Sequence, residues 1–390
     1  GGSTVTIAQR MFEGMNSFAL LAIPLYTFAG FTMSKGGISK RLMDFCYSIV
    51  GHIYGGLAHV NVLSSMIFAG ISGSAVADTA GVSGMFMPEM VRKGYSKNFT
   101  VAVTAISSTI GIIIPPSIPM VVIAGICGIS TGKLFLGGII PGVLCGLAQM
   151  IVSYFMAKKE GVPKEPGHFT IGPVLHGLWE SWPALLMPII IVGTITMGIV
   201  SPTEAGVIAV VYGLFAGGII YRELKWEDIK FAFAETVRTS GRIFIVIGAA
   251  KLYTVMLTTA GFDKWVAKTM LGFSTNPTVI LVMILLIFFV VTMFMESIAT
   301  LTLFMPILYP IALGVGIDPI VLSVLITVVI GVGLVTPPVG MCIYVACDLM
   351  DVTVGEVFPT LVPFIAATFV CIVLMVAFPQ LILLPTYLMA

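Results

Sequence analysis

The sequence predicts an all-α polytopic membrane protein built from two inverted repeats. Of its 390 residues, 58% are hydrophobic and only 9% are charged, and the mean hydropathy is +1.09. A soluble core cannot hide that much apolar surface. Continuously apolar runs such as residues 279–291 exclude an outer-membrane barrel, whose strands alternate apolar and polar residues. The repeats are indicated by two matching breaks: residues 111–116 read GIIIPP, and residues 333–338, 222 positions later, read GLVTPP.

Further landmarks recur in the same order. A threonine and a proline recur at the 222-residue offset, and a Phe-Met-Pro triplet recurs at an offset of 218: Thr131 with Thr353, Pro141 with Pro363, and residues 86–88 with 304–306. Four landmarks in one order, with one four-residue insertion, indicate an internal duplication. The 218-residue offset would pair Asp78 with Glu296.

The first half begins with an apolar segment followed by a mixed-charge connector. Next comes a stretch rich in small residues with GISGS at its centre, which suits two half-length helices that meet at a tip. We therefore predict a re-entrant hairpin, followed by a broken helix and a further span. The predicted segments are a span at residues 18–33, a connector at 36–52, a hairpin at 54–90, a break at 111–116 and a span at 134–156.

The second half repeats this plan after a linker with prolines and lysines. The predicted segments are spans at 183–200 and near 204–220, a charged connector at 221–242, a span at 243–260, a hairpin at 276–317, a broken helix at 318–347 and a last span at 361–384. The resulting organisation is an N-terminal scaffold helix and interfacial connector (1–53), a first transport repeat (54–157), a cytoplasmic linker (158–182), a second scaffold segment with the charged connector (183–275) and a second transport repeat (276–390).

The distribution of positive charge predicts the orientation. If each hairpin returns to the side it entered, 14 of the 19 lysines and arginines lie on one side. The positive-inside rule places that side in the cytoplasm. The first hairpin then opens from inside and the second from outside, as expected for inverted repeats.

Several motifs together resemble the large permease subunit of the TRAP transporters along nearly the whole chain. They are GSAVAD at 73–78, Met90 with Gly94-Tyr95, IPPS at 114–117, SPTEAG at 201–206 and TPPVG at 336–340. The resemblance implies a sodium-coupled, elevator-type importer of organic acids in the bacterial inner membrane. It also implies two partners, a small membrane subunit (separate or fused upstream) and a periplasmic substrate-binding protein. Residues 1–9 lack the features of a signal peptide, and the family's usual first helix would lie upstream of them.

The breaks suit a sodium ion, which requires several oxygen ligands at once. A proline removes the donor for the carbonyl four residues earlier, so Pro115 releases Gly111 and Pro337 releases Gly333. In the same way, Pro116 releases Ile112 and Pro338 releases Leu334. The resemblance pairs each break with a hairpin tip to form one sodium site. The predicted cation ligands are Ser72, Gly73, Ser74, Gly111, Ile112, Ile114 and Pro115 in the first repeat, and Glu296, Ser297, Thr300, Gly333, Val335, Thr336 and Pro337 in the second.

We expect the substrate anion between the two sodium sites, near half-helix N-termini that offer backbone N–H groups. The predicted substrate contacts are Ser74, Asp78, Ser117, Thr300, Val339 and Gly340. Asp78 either caps a half-helix or attracts a cation, and the same alternatives hold for Glu296, where a site role is favoured. Gly73, Ala77 and Gly81 recur at four-residue spacing and are expected to let the hairpin arms approach closely.

Other functional classes fit the sequence poorly. A net charge of +1 and the absence of a basic run argue against nucleic acid as a partner. The six cysteines form no CxxC pair and are expected to be packing thiols, and no organic cofactor is expected. The alternatives are a stand-alone sodium/dicarboxylate symporter, an intramembrane aspartyl protease using Asp78 and Glu296, and a membrane anchor. The protease lacks its usual Tyr-Asp and Gly-x-Gly-Asp patterns, and an anchor leaves the matched breaks unexplained, so the protein is not expected to be an enzyme.

Overall fold

The computed structural model describes residues 4–162 and 170–389, and every regular element in these ranges is helical. The predicted all-α class is therefore confirmed. The first nine helices are α1 (Thr4–Met15), α2 (Ala22–Lys35), α3 (Ile38–Val50), α4 (Gly56–Ser72), α5 (Ala75–Arg92), α6 (Lys97–Ser108), α7 (Ile118–Cys127), α8 (Thr131–Glu160) and α9 (Ile171–Thr196). The others are α10 (Pro202–Phe215), α11 (Trp226–Thr259), α12 (Phe262–Phe273), α13 (Pro277–Thr292), α14 (Ser297–Gly314), α15 (Pro319–Gly333), α16 (Met341–Met350), α17 (Val354–Ala377) and α18 (Gln380–Leu383).

Helix length distinguishes most segments that could cross a membrane from those that go part of the way; the exception is α14, which is long and apolar enough to span although it is an arm of the second hairpin. Among the described residues, seven helical segments are long and apolar enough to span: Phe18–Lys35, Thr131–Glu160, Ile171–Thr196, Pro202–Ile220, Trp226–Thr259, Ser297–Gly314 and Val354–Ala377. The shorter apolar helices α4, α7, α13, α15 and α16 have 10 to 17 residues. Helices of this length suit hairpin arms and the halves of broken helices, because about 20 residues are needed to cross the hydrocarbon core.

The two repeats have the same order of elements, α4–α8 and α13–α17. The second hairpin arms, α5 and α14, have 18 residues each and start 222 residues apart. The next helices, α6 and α15, also start 222 residues apart. By its position in the hairpin, Glu296 therefore corresponds to Ser74, and Asp78 corresponds to Thr300. The pairing of Asp78 with Glu296 is wrong, because the two Phe-Met-Pro triplets lie one helical turn apart in the two arms.

The repeats run in opposite directions across the fold. The side-chain amine of Lys97, at the start of α6, donates to the backbone oxygen of Met350, at the end of α16, over 3.1 Å. Helix α16 packs against α5 and α6, and α7 packs against α14. Each half-helix that follows a break therefore lies against the hairpin of the other repeat. The assignment of the lysine-rich side to the cytoplasm stays a prediction, and Lys164, one of its members, lies outside the described residues.

The charged connector of the second half differs from the expectation. The sequence predicts a surface segment at residues 221–242 followed by a separate span, whereas the structure has one unbroken helix of 34 residues, α11. At 1.5 Å per residue this helix is about 50 Å long, well beyond the roughly 30 Å of hydrocarbon. Its charged first turns therefore extend the spanning helix beyond the membrane. Helix α8 ends at Glu160 and α9 begins at Ile171, so the predicted linker at 158–182 lies partly in these two helices. Residues 163–169 lie outside the described residues.

Two further details were not anticipated. Helices α1 and α12 flank α11, and neither is expected from the sequence. Among the described residues, nothing lies within 4 Å of a side chain added at Gly81, so the expected close approach of the hairpin arms at Gly81 is wrong. Gly73, by contrast, lies at the hairpin tip.

All six cysteines are free thiols.

Candidate functional site

The tip of the first hairpin is a two-residue turn that lies on the first break. Helix α4 ends at Ser72, Gly73 has a φ of +66°, and the hydroxyl of Ser74 caps α5. A β-carbon on Gly73 would approach the backbone oxygen of Pro116 to 2.7 Å. The Gly73 carbonyl accepts from the backbone N–H of Ile118 at 3.2 Å. Glycine is required here both by the left-handed backbone and by this close approach.

The first break leaves several backbone oxygens without donors. Helix α6 continues as the 3₁₀ turn Thr109–Ile112, and the bond between Pro115 and Pro116 is cis. The hydroxyl of Ser117 donates to the Ile112 carbonyl at 2.5 Å and thereby replaces the donor that Pro116 lacks. Among the described residues no donor reaches the carbonyls of Gly111 or Ile114. The break therefore retains free oxygens after local compensation, as a cation site requires.

Asp78 is the buried acid of this site. It is completely buried, and its Oδ1 accepts a hydrogen bond from the hydroxyl of Ser72. Its Oδ2 is buried too and has no hydrogen-bond partner among the described residues. A β-carbon on Gly111 would collide with that oxygen. The tip, the break and the unpaired carboxylate thus converge, and a buried carboxylate at membrane depth is strongly disfavoured unless a positive charge compensates it.

Glu296 at the second tip has a different environment. The connection between α13 and α14 has four residues, and Glu296 is the N-cap of α14. Its Oε2 accepts from the backbone N–H of Ile298 at 2.8 Å and of Ala299 at 3.3 Å, and its Oε1 accepts from the Ser297 hydroxyl at 2.5 Å. Glu296 therefore caps α14 through Oε2, one of the two roles expected from the sequence, while Oε1 is held by the Ser297 hydroxyl.

The second break compensates more of its carbonyls than the first. The Gly333 carbonyl accepts from the N–H of Thr336 at 3.1 Å. The Leu334 carbonyl accepts from the N–H of Cys342 at 2.9 Å. The bond between Pro337 and Pro338 is cis, as at the first break. Among the described residues, the carbonyls of Val335 and Pro337 receive no donor.

The second tip is joined to its break in the same way as the first. The N–H of Val339 donates to the carbonyl of Met293 at 2.9 Å. Thr300, one turn into α14, donates its hydroxyl to the Glu296 carbonyl at 3.0 Å. Gly340 caps α16 with a φ of +41°. The structure therefore joins each tip to its own break by a backbone hydrogen bond, and it places Glu296 and Thr300 at the start of the arm that follows the second tip.

Two contributions were missed from the sequence. The Met293 carbonyl joins tip to break through a backbone contact, for which the sequence carries no signal. An open pocket of 430 Å³ lies beside the start of α16 and is lined by Pro338, Val339, Met341, Tyr344 and Val345. In the sequence, this pocket is indicated only by the apolar residues just after the double proline.

Comparison with known proteins identifies the chain's relatives. The family model described as "Tripartite ATP-independent periplasmic transporter, DctM component" matches residues 2–381. The chain is 36% identical to the sialic acid TRAP transporter large permease protein SiaM of Vibrio cholerae, over 97% of this chain and 88% of that protein. It is 34% identical to the C4-dicarboxylate TRAP transporter large permease protein DctM of Pseudomonas aeruginosa, over 99% and 90%.

Two other matches differ in coverage and in identity. The chain is 37% identical to the isethionate TRAP transporter permease protein DctMQ of Oleidesulfovibrio alaskensis, over 92% of this chain but only 57% of that protein. The crystal structure of the Alcanivorax borkumensis YdaH transporter matches with a TM-score of 0.62, over 94% of this chain and 86% of the other. The sequence identity to that protein is 12%, so this match shows a shared fold alone.

Proposed function

Since the chain belongs to the DctM family of tripartite ATP-independent periplasmic transporters, it is a multi-pass permease of the bacterial inner membrane, and we propose that it imports a small organic acid anion by sodium coupling. In this proposal it is the large membrane subunit and works with a small membrane subunit and a periplasmic substrate-binding protein. The relatives named for sialic acid, C4-dicarboxylate and isethionate support an acidic substrate.

The observation that carries the proposal is the convergence of Asp78, Gly111 and the first tip. A dehydrated sodium ion needs several oxygens, and this place offers a carboxylate oxygen and backbone oxygens that have no other partner. The second tip and break would form the other sodium site, with Val335 and Pro337 as its free carbonyls. Glu296 holds the second tip in shape by capping α14.

The substrate anion would lie between the two sodium sites. Helices α5 and α14 both begin at a tip, so their N-termini present a positive partial charge there. Sodium and these dipoles would together balance the negative charge of the substrate. A unit that carries an unbalanced charge crosses the bilayer with difficulty, which would couple the movement of the substrate to sodium.

The movement itself is proposed to be of the elevator type. The hairpins and broken helices form one packed unit, and α2, α9, α10 and α11 form the scaffold. Helix α7 packs against α2, whereas α16 packs against α5, α6 and α17. The half-helix that follows the first break therefore contacts the scaffold, whereas the half-helix that follows the second break packs within the hairpin unit. This difference supports a unit that exchanges its contacts with the scaffold as it moves.

Uptake into proteoliposomes tests the proposal. We expect uptake of a radiolabelled organic acid only with an inward sodium gradient, the small subunit and the loaded binding protein. Gly111→Leu and Gly333→Leu should abolish this uptake while the protein still inserts, because each break has no room for a side chain. Uptake without the binding protein would instead establish a stand-alone symporter. Unchanged sodium dependence of uptake in both variants would refute the cation sites.

A further inference from the structure

The first hairpin is joined to its broken helix by a line of buried polar side chains, which we call the polar seam. On α4, the amide nitrogen of Asn61 donates to the Thr104 hydroxyl at 2.7 Å, and its amide oxygen accepts from the Ser107 hydroxyl at 2.9 Å. Ser65 donates to Ser107 at 3.1 Å. All four residues are at most 1% exposed. The seam therefore joins α4 to α6 deep inside the protein.

The other arm of the same hairpin is joined to α6 as well. The hydroxyls of Thr79 on α5 and Ser108 on α6 lie 2.5 Å apart. At the base of the hairpin, the hydroxyl of Tyr95 accepts from the backbone N–H of Leu57 at 3.1 Å. Both arms and the base of the first hairpin are thus held by hydrogen bonds that extend beyond a single helix.

The second repeat has apolar residues at the matching places. The helix ends set the correspondence: α13 follows α4 by 220 residues at the tip, and α14 and α15 follow α5 and α6 by 222. The counterparts of Asn61, Ser65, Thr79, Thr104, Ser107 and Ser108 are then Leu281, Leu285, Leu301, Ile326, Val329 and Ile330. These six are buried too. Equivalent packing positions therefore carry hydrogen bonds in one repeat and only dispersion contacts in the other.

The side-chain hydroxyls of the second hairpin bond locally, and its tip is joined to the break by the backbone bond between Met293 and Val339. In residues 277–333, all of which the structure describes, the hydroxyls of Thr292, Thr302, Ser323 and Thr327 each donate to their own helix. The tip has four residues instead of two, and Phe294 within it is 59% exposed. By contrast, Gly73 in the first tip is buried.

We propose that the two hairpins have divided roles: the polar seam makes the first hairpin a fixed part of the moving unit, and the second hairpin opens as the gate that admits sodium and substrate. Opening the first hairpin would separate six polar side chains from their hydrogen-bond partners, and the bilayer offers no replacement partners. Opening the second separates apolar surfaces that lipid or substrate can cover at little cost. The inference rests on the proposed function, since sodium and substrate are what the gate admits, and the effect of sodium on labelling can be measured without transport.

Two cysteine pairs test this division in a chain whose six native cysteines are replaced by alanine. Ser65→Cys with Ser107→Cys joins the first hairpin to α6, because the hydroxyls already lie 3.1 Å apart. Met293→Cys with Val339→Cys joins the second tip to its break, where the two backbones are hydrogen-bonded. Oxidation should leave uptake with the first pair within about twofold of the reduced protein and reduce it more than about tenfold with the second, reversibly by dithiothreitol.

A labelling measurement needs neither transport nor partner proteins. Sodium should slow maleimide labelling of Phe294→Cys by about tenfold and that of Val76→Cys, beside the first tip, by less than about twofold. Giving the seam the residues of the second repeat, Asn61→Leu with Ser107→Val, should make Val76→Cys respond to sodium as well. Block of uptake by the first cross-link, normal uptake with the second, or equal sodium responses at both tips would overturn the proposal. Absence of uptake in the reduced proteins would count against the transport function. The labelling comparison would still report on the hairpins in that case.

Discussion

Asp78 and Gly111 fit together as a complementary pair: the Oδ2 atom of the carboxylate occupies the place where a side chain at residue 111 would begin. The pair joins the first hairpin to the first break without a hydrogen bond, since this oxygen has no donor among the described residues. A glycine in the break thus does more than bend the chain. It allows an acid from another helix to lie directly against the backbone of the break.

The first prediction follows from this contact. Gly111→Ala should lower the free energy of unfolding by about 1–3 kcal/mol, because the added methyl collides with a buried carboxylate, and it should also weaken sodium-dependent uptake. Thermal unfolding and uptake are measured together. The matched control is Gly84→Ala on α5, where an added methyl meets none of the described residues within 4 Å. Equal losses in the two variants would contradict the role given to the contact.

The charge of Asp78 is tested separately from its shape. Asp78→Asn keeps the size of the side chain and can still bond Ser72, but it removes the negative charge. We expect the apparent affinity for sodium to fall by about tenfold or more, equivalent to about 1.4 kcal/mol. The measurement is the sodium dependence of uptake. An unchanged sodium dependence would show that the carboxylate does not attract the cation.

Glu296 should behave differently, because both of its oxygens already accept hydrogen bonds at the start of α14. Glu296→Asn, which retains a capping oxygen, should keep sodium-dependent uptake. Glu296→Ala should lower the free energy of unfolding by about 1 kcal/mol, the usual effect of losing an N-cap. Thermal unfolding separates the two variants. If Glu296→Asn abolished the sodium dependence, the acid would be a ligand and not only a cap.

The sequence was sufficient for the elements that carry strong local signals. A double proline four residues after a glycine predicts a break wherever it occurs, and both breaks are present at 111–116 and 333–338. The small-residue stretch at 70–74 predicts the first tip in the same way. These patterns are informative because proline removes a donor and glycine permits unusual backbone, whatever surrounds them.

The remainder depends on tertiary contacts that a sequence does not display. Both second prolines release a carbonyl, but Ser117 recaptures that of Ile112 and the N–H of Cys342 recaptures that of Leu334. The predicted pairing of Asp78 with Glu296 was wrong for a related reason, because the Phe-Met-Pro triplet can recur one turn along a helix at little cost to packing. Charge alone could not distinguish a surface connector from the extended first turns of α11.

Ser117 combines two functions that can be separated by comparison with another cap. It accepts from the N–H of Met120 at 3.3 Å and donates to the Ile112 carbonyl at 2.5 Å. Ser117→Ala should lower the free energy of unfolding by about 1–3 kcal/mol, because a buried carbonyl loses its donor, and should alter the sodium dependence of uptake. The control is Ser130→Ala, which removes only the N-cap of α8. A matching loss of uptake in the control would assign the effect to capping alone.

The last prediction concerns the contact between α3 and the scaffold. The guanidinium of Arg41 bonds Glu223 at 2.7 Å and the Gly37 carbonyl at 2.8 Å, and it lies 4.2 Å from the ring centre of Tyr221. A lysine cannot make these three contacts at once, because it lacks the planar fork of the guanidinium. Arg41→Lys should therefore lower the free energy of unfolding by about 1 kcal/mol.

The same substitution should slow uptake while leaving its sodium dependence unchanged, because α3 packs against α2, α4 and α9 and in the proposed arrangement connects the scaffold to the first hairpin. Arg238→Ala is the matched control: its partner Glu235 lies one turn away on the same helix, and the arginine is 66% exposed. Its effect on the free energy of unfolding should stay below about 0.5 kcal/mol. A shift in the sodium dependence of Arg41→Lys would mean that α3 influences the cation sites themselves and not only the movement of the unit that carries them.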